Sequence, residues 1–225
     1  MTPLPPIGRI WVVLGGFLPA ADAVLPPGTV PRLVPKMVSD VSTDGGCVVA
    51  PPDLAGGIAV EGELALVIGT DVHRPSPAGA ADAILGFTCF NDATAMGLLS
   101  EGEWALSKSM DTFASIGPAL RTDLDDAAVM GGLAITTRVN GEERQRGDTA
   151  LYKFPPSEIV RYLAGAVLAV AAPGERGVSS LQRVALLPLE LRVLGGATRA
   201  PATAAELVRV VLHELDPTRD HPSWQ

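Results

Sequence analysis

The chain has 225 residues, 47% of them hydrophobic and 4% aromatic, with a formal net charge of −8. That length accommodates one domain of ordinary size with a substantial core. The acidic balance, with no basic stripe anywhere, argues against a nucleic-acid partner and against an anionic membrane surface. No stretch is apolar for long enough to span a bilayer, and the start of the chain lacks the charged region and apolar run of a signal peptide. A cytoplasmic protein is therefore expected. Cys47 and Cys89 stand apart without metal-type spacing and read as free thiols in a reducing compartment.

In chain order, residues 1–60 form a Pro- and Gly-rich N-terminal segment with a short strand at residues 9–14. Its PPGTVPRLVPK stretch reads as irregular, because each proline biases its predecessor toward extended geometry. Residues 61–225 form the core, expected to act as one functional unit. The run VEGELALVIGT reads as a strand, followed by a loop, a short helix at residues 80–84 and a strand at residues 86–90. KSMDTFASIGP reads as a loop of special geometry. In LAITTRVNGEERQ, Asn140-Gly141 lies between alternating apolar and polar residues, which marks a hairpin with a type I′ turn. PPSEIVRYLAGAVL predicts a helix with Ile159, Val160, Leu163 and Val167 on one face and Ser157 or a neighbour as its cap. VLAVAAP and QRVALLPLELRVLGG predict further strands before a polar tail. Strands outnumber helices, so the pattern implies a β-rich α+β fold.

Glu61 and Glu63 open the first core strand. Side chains two apart on a strand share a face, so both carboxylates aim at one spot beside an apolar run. Two like charges there repel each other and are costly to desolvate. A hard divalent cation with oxygen ligands would offset that cost, and Asp92 of the Asn91-Asp92 pair is the natural third ligand. Such a cation, with open positions, can polarise a keto acid.

The order VEGELALVIG, GFTCFNDATA, EWALSKSMDTFASIGPAL and TRVNGEERQRGDT closely resembles the fumarylacetoacetate hydrolase family over roughly residues 7–196. The resemblance implies a β-roll or distorted β-sandwich core with short flanking helices, a homodimer, and Mg²⁺, Mn²⁺ or Ca²⁺ held by two glutamates and an aspartate. It assigns Glu61, Glu63 and Asp92 as metal ligands. Lys108 matches the lysine that polarises the substrate carbonyl or enolate, and Thr112 a residue supporting that lysine. Family activities span hydrolysis of 1,3-diketone C–C bonds, decarboxylation of 2-oxo acids and isomerisation of unsaturated oxo acids. A cation and a fixed ammonium can share the charge of an enolate, the intermediate common to all of them.

The departures concern the substrate side. Many members carry a histidine and a glutamate on an N-terminal lid that activate the hydrolytic water. Here LGGFLPAADAVL puts Ala20 or a neighbour at the histidine place, and Asp22 echoes the glutamate only weakly. The arginine and glutamine that hold substrate groups in the family fall near Met96 and Leu99, and a late Gly-Thr-Pro motif is reduced to Ala171-Ala172-Pro173, so Met96, Leu99 and Ala172 are the expected substrate-facing positions. A lost acid–base group is worth on the order of 10²–10⁴-fold in rate. The expectation is therefore a metal-dependent enzyme of a specialised bacterial pathway acting on an enolisable dicarbonyl or 2-oxo acid. Decarboxylation, isomerisation, elimination or cyclisation is slightly preferred over C–C hydrolysis. A hydrolase of the usual type and a metal-binding pseudoenzyme or dimerising structural partner are the alternatives.

The remaining polar residues read as ordinary surface. His73 lies in a Pro-rich loop, and His213 and His221 belong to the tail. Asp111 caps or turns its loop, and Glu101 and Glu103 precede Trp104 in a solvated turn. Asp123, Asp125 and Asp126 lack the glycine and distal glutamate of a calcium loop and read as a solvated acidic loop. Lys36, in a segment resembling the family's Phe-x-Lys-Pro run, is given a structural role near the pocket.

Overall fold

The run after Glu61 is buried on both faces, and the main sheet is organised around it. The computed structural model describes residues 7, 9–37, 41–42, 46–170, 183–187 and 210–212. In chain order the elements are β1 (Arg9–Leu14), β2 (Arg32–Lys36), β3 (Ile58–Ala59), β4 (Gly62–Ile68), α1 (Pro77–Asp82), β5 (Ile84–Asp92), β6 (Thr94–Ala95), α2 (Met96–Ser100), α3 (Trp104–Lys108), β7 (Ala114–Ile116), α4 (Asp126–Met130), β8 (Ala134–Val139), β9 (Glu142–Asp148), α5 (Pro156–Val170), β10 (Arg183–Leu187) and β11 (Val210–Leu212), with a 3-10 turn at Thr149–Leu151. The main sheet has the order β2-β1-β10-β4-β5-β7, a second sheet the order β11-β8-β9, and β3 pairs with β6. All of these pairings are antiparallel except β1 with β10. This is the β-rich α+β architecture that the pattern predicts, with the short flanking helices that the resemblance implies. β1 and β2, from the N-terminal segment, share the sheet of β4.

Alternation along β4 divides the core in two. Leu64, Leu66 and Ile68 face a cluster with Phe87, Tyr152 and α5, while Ala65 and Val67 face Ile10, Val12, Phe90 and Ile116. A strand covered on both faces needs an uninterrupted apolar run, which is why GELALVI is apolar after its glutamate. Each large side chain buried this way contributes about 1.5–3 kcal/mol.

α1, α4 and α5 pack on the first of these faces. Ser76 caps α1 through the Gly79 N–H at 3.1 Å, with Pro77 opening the helix. The helix therefore begins before the predicted residue 80, and Ile84 joins β5 opposite Ile68 instead. In α5, Ile159, Val160 and Leu163 are buried as expected, together with Ala164; the side chain of Val167 lies outside the described residues. The cap of α5 is not Ser157. Its N–H and hydroxyl both donate to the Asp126 carboxylate, reaching across from α4. Asp125 in turn caps α4 through the Ala128 N–H at 2.8 Å, and Asp123 pairs with Arg121. The predicted acidic loop is thus a set of caps and one surface pair.

The hairpin forms as predicted, with Asn140 and Gly141 at φ 53° and 83° and Val139 opposite Glu142. Two expectations fail near the end of the chain. Residues 167–170, read as the start of a strand, continue α5, because a short apolar run carries either period. Residues 210–212, read as polar tail, form β11 along the free edge of β8, an edge that offers unpaired backbone groups to any extended segment. Among the described residues, no helix is long and apolar enough to cross a membrane.

Candidate metal centre

Two chain segments bring the three carboxylates together. Glu61 stands immediately before β4, Glu63 is its second residue, and Asp92 ends β5. Glu63 lies opposite Phe90 in the β4–β5 register, and Asp92, two residues further on, shares the face of Phe90. The main chain adds a direct tie: the Asp92 N–H donates to the Glu61 carbonyl at 2.8 Å. One ligand atom from each of Glu61, Glu63 and Asp92 lies within 4.8 Å of the others.

Two ammonium groups flank this cluster. Lys108, at the end of α3, donates to Asp92 Oδ2, to Glu61 Oε2 at 3.2 Å and to Thr94 Oγ1 at 2.9 Å. Lys36, at the end of β2, donates to the other Asp92 oxygen at 2.5 Å and to the Ala93 carbonyl at 3.0 Å. Its Nζ also lies 5.9 Å from the centre of the Phe90 ring. Glu63 differs from the other two carboxylates. It is 2% exposed, and neither oxygen has a hydrogen-bond partner among the described residues.

Burial dominates the electrostatics. It pushes the Glu63 carboxyl well above its usual range, and the neighbouring Asp92 charge pushes it further. Burial raises Glu61 as well, against the pull of Lys108. It lowers Lys36 in spite of Asp92. For Lys108, burial is outweighed by Asp92, Glu61 and Glu63 acting together, so its ammonium is held above the ordinary lysine range. With all five groups ionised, three carboxylates face two ammoniums and one negative charge is left over. An all-oxygen set at this spacing, with one carboxylate unbonded among the described residues, fits a hard divalent cation, whose ligand bonds run from about 2.0 to 2.6 Å.

The other predicted positions distribute unevenly. Lys108 joins the cluster. The Thr112 hydroxyl instead accepts from the Val49 N–H at 2.8 Å, on a backbone with φ 66°; the hydroxyl against Lys108 is that of Thr94. Met96 and Leu99 are half-buried on α2, which follows Asp92 after a three-residue link. Ala172, His213 and His221 lie outside the described residues. His73 is exposed, and so are Ala20 and Asp22 in the expected lid stretch. Lys36 turns out to touch Asp92 directly, a contact its sequence context only hinted at. Thr94, two residues from Asp92, and Gln145, in the hairpin, carried no sequence signal of their own. Cys47 and Cys89 are free and partly buried, as expected.

Comparison with known proteins agrees with this geometry. Residues 16–172 match the model of the fumarylacetoacetate (FAA) hydrolase C-terminal domain. An uncharacterised protein of Archaeoglobus fulgidus is 34% identical over 203 residues, 87% of this chain and 78% of that protein. Seven further curated relatives are matched over 43–62% of their own length. Among solved structures, 5-carboxymethyl-2-hydroxymuconate delta-isomerase from Mycobacterium smegmatis superposes with a TM-score of 0.64 at 26% identity, covering 83% of this chain and 70% of that one. Fumarylpyruvate hydrolase from Pseudomonas aeruginosa, in complex with Mn²⁺ and pyruvate, gives 0.54 at 26% identity, covering 71% and 72%. The chain belongs to the fumarylacetoacetate hydrolase family.

Proposed function

We propose that the protein is a divalent-metal-dependent enzyme that stabilises the enolate of a 2-oxo acid or 1,3-dicarbonyl substrate. The observation that carries this reading is the Glu63 carboxylate, buried beside Glu61 and Asp92 with no donor among the described residues. Glu61, Glu63 and Asp92 would hold Mg²⁺ or Mn²⁺; the Mn²⁺ and pyruvate in the Pseudomonas hydrolase support both the metal and the substrate class. When bound, the ion supplies Lewis-acid polarisation of the substrate oxygens. Two positive charges added to a cluster of net −1 make it +1, which suits an anionic oxo acid.

The chain's own residues do the rest. Lys108, held by Asp92, Glu61 and Thr94, presents a fixed ammonium to oxygen charge that grows as the enolate forms, and removing one such donor costs on the order of 10²–10³-fold in rate. Lys36 holds Asp92 from the opposite side and balances its charge. Nothing in this set activates water. The chain's histidines are His73, His213 and His221, none of them in the stretch that matches the family's lid. That favours isomerisation, tautomerisation or decarboxylation over C–C hydrolysis, in line with the isomerase neighbour; the hydrolase neighbour keeps hydrolysis as the second reading.

The test is enolisation itself. With Mg²⁺, the protein is expected to speed exchange of the C3 protons of oxaloacetate and acylpyruvates into D₂O, read by NMR. Lys108→Met should slow it at least about 100-fold. An unchanged rate in that variant sinks the proposal, and stoichiometric release of the acyl acid from acylpyruvates at the exchange rate would transfer preference to the hydrolase.

A further inference from the structure

The two metal-ligand glutamates are separated by a single residue, Gly62, and one side chain from a different sheet holds that residue on both of its backbone groups. Gln145 Oε1 accepts from the Gly62 N–H at 2.7 Å, and Gln145 Nε2 donates to the Gly62 carbonyl at 2.9 Å. The Gly62 N–H belongs to the Glu61–Gly62 peptide and the Gly62 carbonyl to the Gly62–Glu63 peptide. Gln145 therefore fixes both peptide planes that connect the two glutamates.

The clamp is built in depth. Thr137 Oγ1 donates to the same Gln145 oxygen at 2.9 Å, so the amide meets two donors on its oxygen and a carbonyl on its nitrogen. Gln145 is 6% exposed and Thr137 1% exposed. A buried amide with these partners has one orientation that satisfies all of them. The hairpin also approaches too closely for any side chain at position 62: a Cβ there would lie 1.9 Å from Thr137 Oγ1. Glycine between the two glutamates is thus a requirement of the hairpin packed against them.

The sheet explains the need. The described pairing of β10 with β4 runs from Val67 down to Leu64. At Gly62 the strand edge facing away from β5 passes to Gln145, whose amide substitutes for one residue of a neighbouring strand. The Glu61–Gly62 peptide is then fixed at both ends, its carbonyl by the Asp92 N–H at 2.8 Å and its N–H by Gln145. That peptide plane ties Glu61 to Asp92, and the next one, held through its carbonyl by Gln145, carries Glu63.

We propose that Gln145 is a positioning residue for the metal centre, setting the relative orientation of Glu61 and Glu63 through the Gly62 backbone. The proposal rests on the metal reading above and adds to it a residue that touches neither ligand side chain. Outer-shell partners of metal ligands are typically worth 10–100-fold in affinity, and the Gly62 clamp is expected to fall in that range.

Calorimetric titration with Mn²⁺ on the full chain tests it. Gln145→Met keeps the side-chain length and removes both bonds to Gly62; its Kd should weaken about tenfold or more in protein that is folded by circular dichroism. Thr137→Val keeps both Gly62 bonds, and its Kd should stay within about threefold of the parent. A merely structural role would lower the melting temperature of either variant without separating their affinities. Equal Kd values for the parent and folded Gln145→Met overturn the proposal while leaving the metal reading intact. No Mn²⁺ binding by the parent overturns the metal reading and the proposal with it. If Gln145→Met does not fold, Gln145→Glu, which keeps an acceptor for the Gly62 N–H and loses the donor to its carbonyl, is judged by the same criterion.

Discussion

The Lys36 ammonium lies 2.5 Å from Asp92 Oδ1, and both side chains are wholly shielded from solvent. Removing one partner of such a pair strands a buried charge, which typically costs about 3–5 kcal/mol. Asp92 keeps Lys108 on its other oxygen, so Lys36→Met should lose about 1.5–3 kcal/mol in metal-free buffer, the worth of a hydrogen bond to a charged group. Saturating Mn²⁺ should recover a large part of the loss, because it offers Asp92 another positive partner. Denaturant unfolding with and without Mn²⁺ checks this; equal losses in both buffers would count against Asp92 as a ligand.

Glu63 makes the opposite prediction for the metal-free protein. Its carboxylate is buried without a donor, so neutralising it relieves a desolvation cost. Glu63→Gln should stabilise the metal-free protein by at least about 1 kcal/mol, or about 2–4 °C in Tm for a chain of this size. The same variant should lose the response to metal, which for the parent at 100 times Kd amounts to about 2.7 kcal/mol. A thermal-shift series in EDTA and in Mn²⁺ reads both effects, and a destabilised variant that still responds to Mn²⁺ would refute the assignment.

Cys89 sets an alkaline limit. On β5, burial pushes its thiol from 9.0 up to about 11. Between those values the unfolded chain releases a proton that the native chain keeps, so the unfolded state binds fewer protons and stability falls as pH rises. The contribution is fully present below pH 9 and is lost toward pH 11, on the order of 2 kcal/mol. Tyr152, also raised by burial, adds loss in the same direction above pH 10. Unfolding free energies measured from pH 8 to 11 should decline less steeply in Cys89→Ala; identical slopes would show that Cys89 does not contribute.

Asp126 caps α5, the longest helix among the described residues, from outside it. Its carboxylate accepts from the Ser157 N–H at 3.1 Å and from the Ser157 hydroxyl. Asp126→Ala should destabilise by about 1 kcal/mol, the usual worth of an N-cap. Ser157→Ala, which keeps the N–H bond, should cost less. Melting curves of the two variants decide it, and the reverse order would mean that the hydroxyl is the group that matters.

Much of the centre was legible in the sequence. Glu61 and Glu63 could be paired by strand period alone, and Asp92 and Lys108 by their place in a motif order that resembles a known family. The helix at Pro156 and the Asn140-Gly141 turn were legible because apolar period and left-handed turn chemistry are local, whereas the cap of that helix comes from Asp126, 31 positions away. Lys36 was legible only as a residue near the pocket, and Thr94 and Gln145 were not legible at all. Lys36 meets Asp92 across 56 positions of sequence, and Gln145 meets Gly62 across 83; such contacts depend on which sheet edges are left open. Thr94 is close in sequence, but its side chain meets Lys108 only through the packing of α3. The end of α5 and β11 were misread for a related reason, since short segments take the structure that a neighbouring edge or core face offers them.

The sequence by itself determined the donor chemistry: three carboxylates and a lysine on a β-rich scaffold. Tertiary structure decided which charges meet. It brought a second lysine onto Asp92, left both oxygens of Glu63 unbonded among the described residues, and set Gln145 on the peptide units between the glutamates. Spacing along a strand settles the direction of a side chain, whereas its partner depends on the elements that the fold packs against that face.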